Sequence, residues 1–190
     1  TIQKMIGETK LKMPQLIIGK LLGTEVLGLY SFAQNIILRI MRKIDSLTSS
    51  VLFSLFSRLK TNNEKLLKGY FKANHYNFLL SMPILSGYLF IAPDFIDVIY
   101  GEKWLDAVIL SKFFLFSIVI LSLYDRGAAL IAGIGRPDLL LKIDLSLFLP
   151  LIVGLFISVK FGILYLVIVV VIERFIAQIV QLFLLKKYVN

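Results

Sequence analysis

Asn35, Arg39, Arg42, Ser46 and Ser49 recur three or four residues apart, with Ser50 beside Ser49 and Phe53 and Ser57 continuing the series. At ~100° per residue that spacing puts them on one face of a helix. Lys43 lies at the edge of the face, and Asp45 lies off it but within reach of Arg42 at i, i+3. The opposite side is Leu, Ile and Val. These residue types do not make or break bonds by themselves; they are the donors and fixed charges of a polar lumen inside an apolar setting. Three readings are open: a functional cavity, structural pairing of Arg42 with Asp45 and of Arg39 with a carboxylate on another helix, or a helix lying in an interface. Arg39, Arg42 and Lys43 outnumber Asp45, so pairing within the stretch leaves positive charge over.

A second intramembrane group is Glu173 and Arg174, followed at helical spacing by Ala177, Gln178 and Gln181. Glu173 could serve as counter-ion to a cation of the first group or form a structural bridge between helices. Asp125 and Arg126 read as structural, with Arg126 able to snorkel to an interface. His75 follows Lys68 and Lys72 on a face that reads as solvated and basic.

The elements that must carry these residues are long and apolar. Of 190 residues 58% are hydrophobic, against about 45–50% in soluble domains, and the mean hydropathy is +0.85. The stretch Thr24 to Leu59 has no proline and as a helix rises roughly 50 Å at ~1.5 Å per residue, more than the ~30 Å of hydrocarbon in a bilayer. The expected fold class is all-α, a polytopic transmembrane helix bundle. Five clear spanning helices are expected at about 25–59, 64–92, 104–133, 138–159 and 163–187, after a partial or irregular one at 1–22. Pro14 and Pro83 should kink their helices, and Ala92-Pro93-Asp94 should end the second clear one.

The net charge is +9, which in a soluble protein would suggest nucleic acid. The hydrophobic runs outrank that reading, and no nucleic-acid partner is expected. Arg58, Lys60, Lys65, Lys68, Arg136, Lys142, Lys186 and Lys187 fall on one set of connections, and only Lys20, Lys103 and Lys160 on the other. By the positive-inside rule the connection 58–68 and the C-terminus are cytoplasmic. No cysteine and a single histidine leave neither disulfides nor the usual ligands for a metal site. There is no phosphate-binding glycine loop and no nucleophile–base arrangement, so no enzyme, cofactor or metal is expected. The first residue is Thr and the first twenty lack a signal-peptide pattern; the chain reads as part of a longer protein, 1–190 forming a single bundle.

Ordered short motifs carry a family resemblance. They are Leu22-Gly23, Leu27-Gly28-Leu29-Tyr30 with Ala33, Phe53-x-Leu55-Phe56-Ser57-Arg58-Leu59, Met82-Pro83, Ala92-Pro93, Ile99-Tyr100-Gly101-Glu102-Lys103-Trp104 and Gly135-Arg136-Pro137. From about residue 16 onward the chain resembles the second half of the polysaccharide flippases of the MOP (multidrug/oligosaccharidyl-lipid/polysaccharide) exporter superfamily, particularly the Wzx and WzxC-like lipopolysaccharide biosynthesis proteins. Ser54 stands where such proteins usually have proline. The resemblance implies one lobe of a two-lobe transporter around a central cavity. It implies flipping of undecaprenyl-diphosphate-linked oligosaccharide units across the bacterial inner membrane, with membrane lipids, a polysaccharide polymerase and other assembly proteins as partners. On that footing Asn35, Arg39, Arg42, Lys43 and Ser46 are the expected substrate-binding residues, since arginine takes phosphate through paired donors. Asp45, Glu173, Arg174 and Gln178 are expected to line the cavity or pair with one another. A cation-coupled multidrug exporter of the same superfamily and a non-transporting membrane scaffold are the alternatives.

Overall fold

The structure is a computed structural model that describes residues 2–59, 63–122 and 137–189, with the side chains of 2–5, 11, 44–71, 73, 74, 77, 80, 119–122, 137, 182 and 184–189 outside the description. All regular structure among the described residues is helical: α1 (Ile2–Leu21), α2 (Thr24–Leu59), α3 (Asn63–Tyr100), α4 (Ala107–Ser122), α5 (Pro137–Ser158) and α6 (Ile163–Val189). Neighbouring contacts run from α1 to α2, α2 to α4, α4 to α6, α6 to α5 and α5 back to α1, so five helices close a ring. α3 packs on the outside of that ring, against α2 and α4.

Three described segments are long and apolar enough to cross a membrane: Ser81–Tyr100 in α3, Asp138–Phe161 over α5, and Ile163–Gln181 in α6. Ala107–Ile118 in α4 is apolar but shorter. The expected count of five is therefore not reached on length and apolarity among the described residues. α1 carries too many charges along its length for such a count, the described part of α2 is not apolar enough for it, and part of 104–133 lies outside the description. α1 is helical throughout, Pro14 included, where an irregular segment was expected.

α3 corrects the expected stop at 92. It runs through Pro83 and Pro93 to Tyr100. Proline removes a donor and crowds the preceding turn, but hydrocarbon offers no other partner to the freed backbone groups, so a helix is retained when neighbours hold it. Ala92 and Ile96, buried on either side of Pro93, supply that hold. The chain stops instead at Gly101, whose φ of 92° lies in the left-handed region. Its N–H donates to the carbonyls of Ile96 and Asp97, satisfying groups at the helix end. Gly23 ends α1 in the same way, with φ 91° and a bond to the carbonyl of Ile18.

Inside the ring the side chains interlock. On α2, Tyr30, Ala33, Ile37 and Met41 form the buried face. Tyr30 meets the edge of Phe114 on α4 at 5.3 Å between ring centres. Small residues at the crossings (Ala33, Ala92 and Ala107, all fully buried) let backbones approach closely, which is how helices gain contact when solvent hydrophobicity no longer drives them. Gly154 on α5 does the same: a Cβ there would sit 2.9 Å from Val169 Cγ1 on α6. At the C-terminal end of α3, Trp104 stacks on Phe32 at 4.2 Å and 19°, with Tyr100 edge-on to the same ring at 4.9 Å. Those contacts fasten the α3–α4 connection to α2.

Candidate functional site

The burial of α2 follows from its periodicity. With Ile37 and Met41 turned into the ring, Arg39 is about 200° from Ile37 at ~100° per residue and must point out. Asn35, Arg39, Arg42 and Lys43 are all exposed on the described surface. Arg42 Nε donates to the carbonyl of Leu38 at 3.3 Å, one turn back along its own helix. Arg39 makes no ion pair with any described residue. Together with Lys43 it borders a crevice of ≈ 390 Å³ between α2 and α3. The side chains of Ser46 and Asp45 lie outside the described residues, and with them the pairing of Arg42 with Asp45. Asp125 and Arg126 also lie outside.

Glu173, Arg174 and Gln178 come together elsewhere, on the face of α6 turned toward α1 and α5. They line a cavity of ≈ 280 Å³ with Gly7, Lys10 and Asp144. Lys10 Nζ lies 2.5 Å from Glu173 Oε1 and 3.4 Å from Asp144 Oδ1. One ammonium thus ties α1 to both α5 and α6, with only about a tenth of each Lys10 and Glu173 side chain exposed (10% and 13%). Glu173 therefore pairs with a lysine of α1, not with a cation of α2. The Lys10–Asp144–Glu173 trio carries one net negative charge. Arg174, on the wall of the same cavity, offsets it, and its guanidinium also lies 5.9 Å from the Phe114 ring centre, over the negative face of the π system.

Among the described residues three buried polar atoms find no hydrogen-bond partner, Tyr30 Oη, Gln178 Nε2 and Glu173 Oε1, the last of them held by its ion pair with Lys10. A buried unsatisfied donor costs about 1–3 kcal/mol, so a polar occupant or water beside Gln178 would be stabilising. Gln15 Nε2 donates to Gln34 Oε1 at 3.2 Å and adds a polar tie between α1 and α2.

Sequence reasoning singled out the α6 members of this cluster but neither Lys10 nor Asp144. A usable signal exists on α1: Gly7, Lys10 and Pro14 recur at i, i+3 and i+7, and all three line the cavity. No local signal pairs Lys10 with Asp144, which is 134 residues away. Among the described residues no group of three or more His, Cys, Asp or Glu is placed to hold a metal ion.

A family described as "Polysaccharide biosynthesis protein" matches residues 1–109, more than half of the chain. Teichuronic acid biosynthesis protein TuaB of Bacillus subtilis (strain 168) is 29% identical over 160 residues, 84% of this chain and 33% of that protein. Lipopolysaccharide biosynthesis protein WzxC of Escherichia coli (strain K12) is 24% identical over 156 residues, 80% of this chain and 32% of that protein. An uncharacterized membrane protein in the cps region of Klebsiella pneumoniae is 33% identical over 89 residues, covering 47% of this chain and 18% of its own length. The chain spans about a third of the length of the first two of these relatives. No solved structure matches the chain.

Proposed function

The chain belongs to the polysaccharide biosynthesis protein family, and from that premise we propose that it forms one lobe of a flippase. The flippase moves lipid-linked oligosaccharide units, carried on an undecaprenyl diphosphate, across the bacterial inner membrane for surface polysaccharide synthesis. The observation that carries the reading is the exposed cationic stripe Asn35, Arg39, Arg42 and Lys43 halfway along a helix longer than a bilayer is thick. A charge at mid-depth costs at least ~2.5–3.5 kcal/mol on insertion scales, so such residues are retained where they face water, protein or a counter-charge. An anionic diphosphate cannot cross ~30 Å of hydrocarbon unaided. Fixed guanidinium groups in a wet cavity would replace its hydration, while the lipid chain stays in the bilayer. The relatives named for teichuronic acid and lipopolysaccharide synthesis support a surface polymer as the destination. In this reading catalysis of bond changes plays no part, and the connection 58–68 and the C-terminus are cytoplasmic.

The test is complementation of a strain lacking the intact protein. Arg39→Ala and Arg42→Ala, each present in the membrane at wild-type amounts, should lower surface polymer at least about tenfold, as expected for loss of a charge-assisted hydrogen bond of ~1.5–3 kcal/mol. Wild-type polymer from both variants sinks the assignment. A cation-coupled exporter remains the second reading, favoured by the carboxylate-lined cavity around Asp144 and Glu173. It requires the opposite pattern, with Glu173→Gln inactive and Arg39→Ala tolerated.

A further inference from the structure

The crevice between α2 and α3 has two unlike walls. α2 contributes Arg39 and Lys43, with Ile36 and Ile40 beside them, and α3 contributes Ile84, Phe95 and Tyr100. A charged wall facing an aliphatic and aromatic one suits neither bulk lipid tails nor a soluble anion. It suits a molecule with both an anionic group and an apolar chain.

Shape narrows the occupant. Its α2 wall, Ile36 to Lys43, spans about 10 Å of helix at ~1.5 Å per residue, and the crevice holds ≈ 390 Å³. That is room for a length of apolar chain beside the Arg39 side chain. A further helix, about 10–12 Å across with its side chains, would need at least about twice the space over the same length. The charge has its own requirement. Arg39 lacks an ion-pair partner among the described residues and stands beside apolar groups, so a phosphate oxygen there would gain paired, poorly screened donors.

We propose that this crevice is a lipid-phosphate site in which Arg39 takes the phosphate and the α3 wall of Ile84, Phe95 and Tyr100 takes a single apolar chain. The proposal rests on the flippase reading and adds to it where the chain of the carried lipid lies: against α3, on the outer side of the helix ring. In that position the chain leaves the protein laterally between α2 and α3 while the phosphate stays on α2. Ile36, only 6% exposed, forms the floor that keeps the chain from entering the ring.

The experiment uses the intact membrane-embedded protein and farnesyl phosphate bearing a diazirine in its isoprenoid chain. Phosphatidylglycerol with the same diazirine in an acyl chain serves as the competing lipid source, and inorganic phosphate as the free anion. Farnesyl phosphate should label the peptides holding Ile84 and Phe95. Arg39→Ala should cut that labelling about tenfold, the loss of one charge-assisted contact, and Arg39→Lys should restore part of it. Ile84→Trp, which fills the crevice, should also lower labelling without changing the amount of protein in the membrane. Labelling by phosphatidylglycerol that is equal in strength and indifferent to Arg39→Ala overturns the proposal and marks the crevice as ordinary lipid-facing surface. Displacement of the probe by inorganic phosphate at equal concentration also overturns it, as does Arg39-dependent labelling that maps away from α3. In any of these cases, polymer output that still depends on Arg39 keeps the flippase reading standing. Output indifferent to Arg39 removes both.

Discussion

Lys10 is one ammonium held between two carboxylates from two other helices. Removing one partner of a buried ion pair costs about 3–5 kcal/mol, because the remaining charge is left in a poor solvent for it. Lys10→Met is therefore expected to lower the melting temperature of the detergent-solubilised protein sharply. The triple variant Lys10→Met, Asp144→Asn, Glu173→Gln should recover most of the loss, since no charge is then stranded. Calorimetry of the two proteins side by side checks this; a triple variant no more stable than Lys10→Met contradicts it. Arg39 and Arg42 behave differently. Both are exposed, and among the described residues the hydrogen bond of Arg42 goes to a carbonyl of its own helix. Their removal should leave the stability within about 0.5 kcal/mol of wild type, as for surface substitutions generally, while polymer output falls. The two cationic groups are thus separable by experiment, one holding helices together and the other free to act.

Among elements, the α5–α6 pair is set by a close approach. Gly154 leaves no room for a Cβ against Val169 Cγ1, and valine is stiff at χ1, so it cannot swing aside at little cost. Gly154→Ala should destabilise the bundle by about 1–3 kcal/mol through overpacking, and adding Val169→Ala should restore it. A thermal-shift series on the two single variants and the double one reads the coupling. Gly101 gives a second case. Its Cβ would meet open space, but its φ of 92° is unfavourable for any other residue. With ψ at 159° the residue sits in a region open almost to glycine alone, and Gly101→Ala should cost about 1–3 kcal/mol from backbone strain. Helix periods were readable from the chain because apolar and polar residues repeat locally. The end of α3 was not, because Pro93 is a stop signal in water, and what overrides it is burial of Ala92 and Ile96 against other helices.

At the scale of the whole molecule, the ring of α1, α2, α4, α6 and α5 leaves α2 with one face inside and its cationic face outside. In the proposed reading that outer face is one wall of the transporter's cavity, and the chain covers about a third of the length of its first two relatives. These 190 residues hold no cysteine, so a thiol introduced into them reads sidedness against the same protein without it. Lys103→Cys and Lys160→Cys are expected to react with a membrane-impermeant maleimide in intact cells. Lys187→Cys should react only after permeabilisation. The reverse pattern would invert the proposed topology and place the charge-rich connection 58–68 outside.

What the chain by itself determined is whatever depends on near neighbours. The all-α class, the helix breaks at Gly23 and Gly162, and the polar stripe of α2 all follow from residues within a few turns of one another. The membership of Glu173, Arg174 and Gln178 in one polar group follows in the same way. Tertiary structure alone decided which charge meets which. Glu173 could have faced a cation of α2; it meets Lys10 because α1 closes the ring against α5 and α6, and Asp144 joins from 134 residues away. Ion pairing acts through space over a few ångströms and carries no sequence period, so only the folded ring could assign Lys10 to structure and leave Arg39 to the crevice.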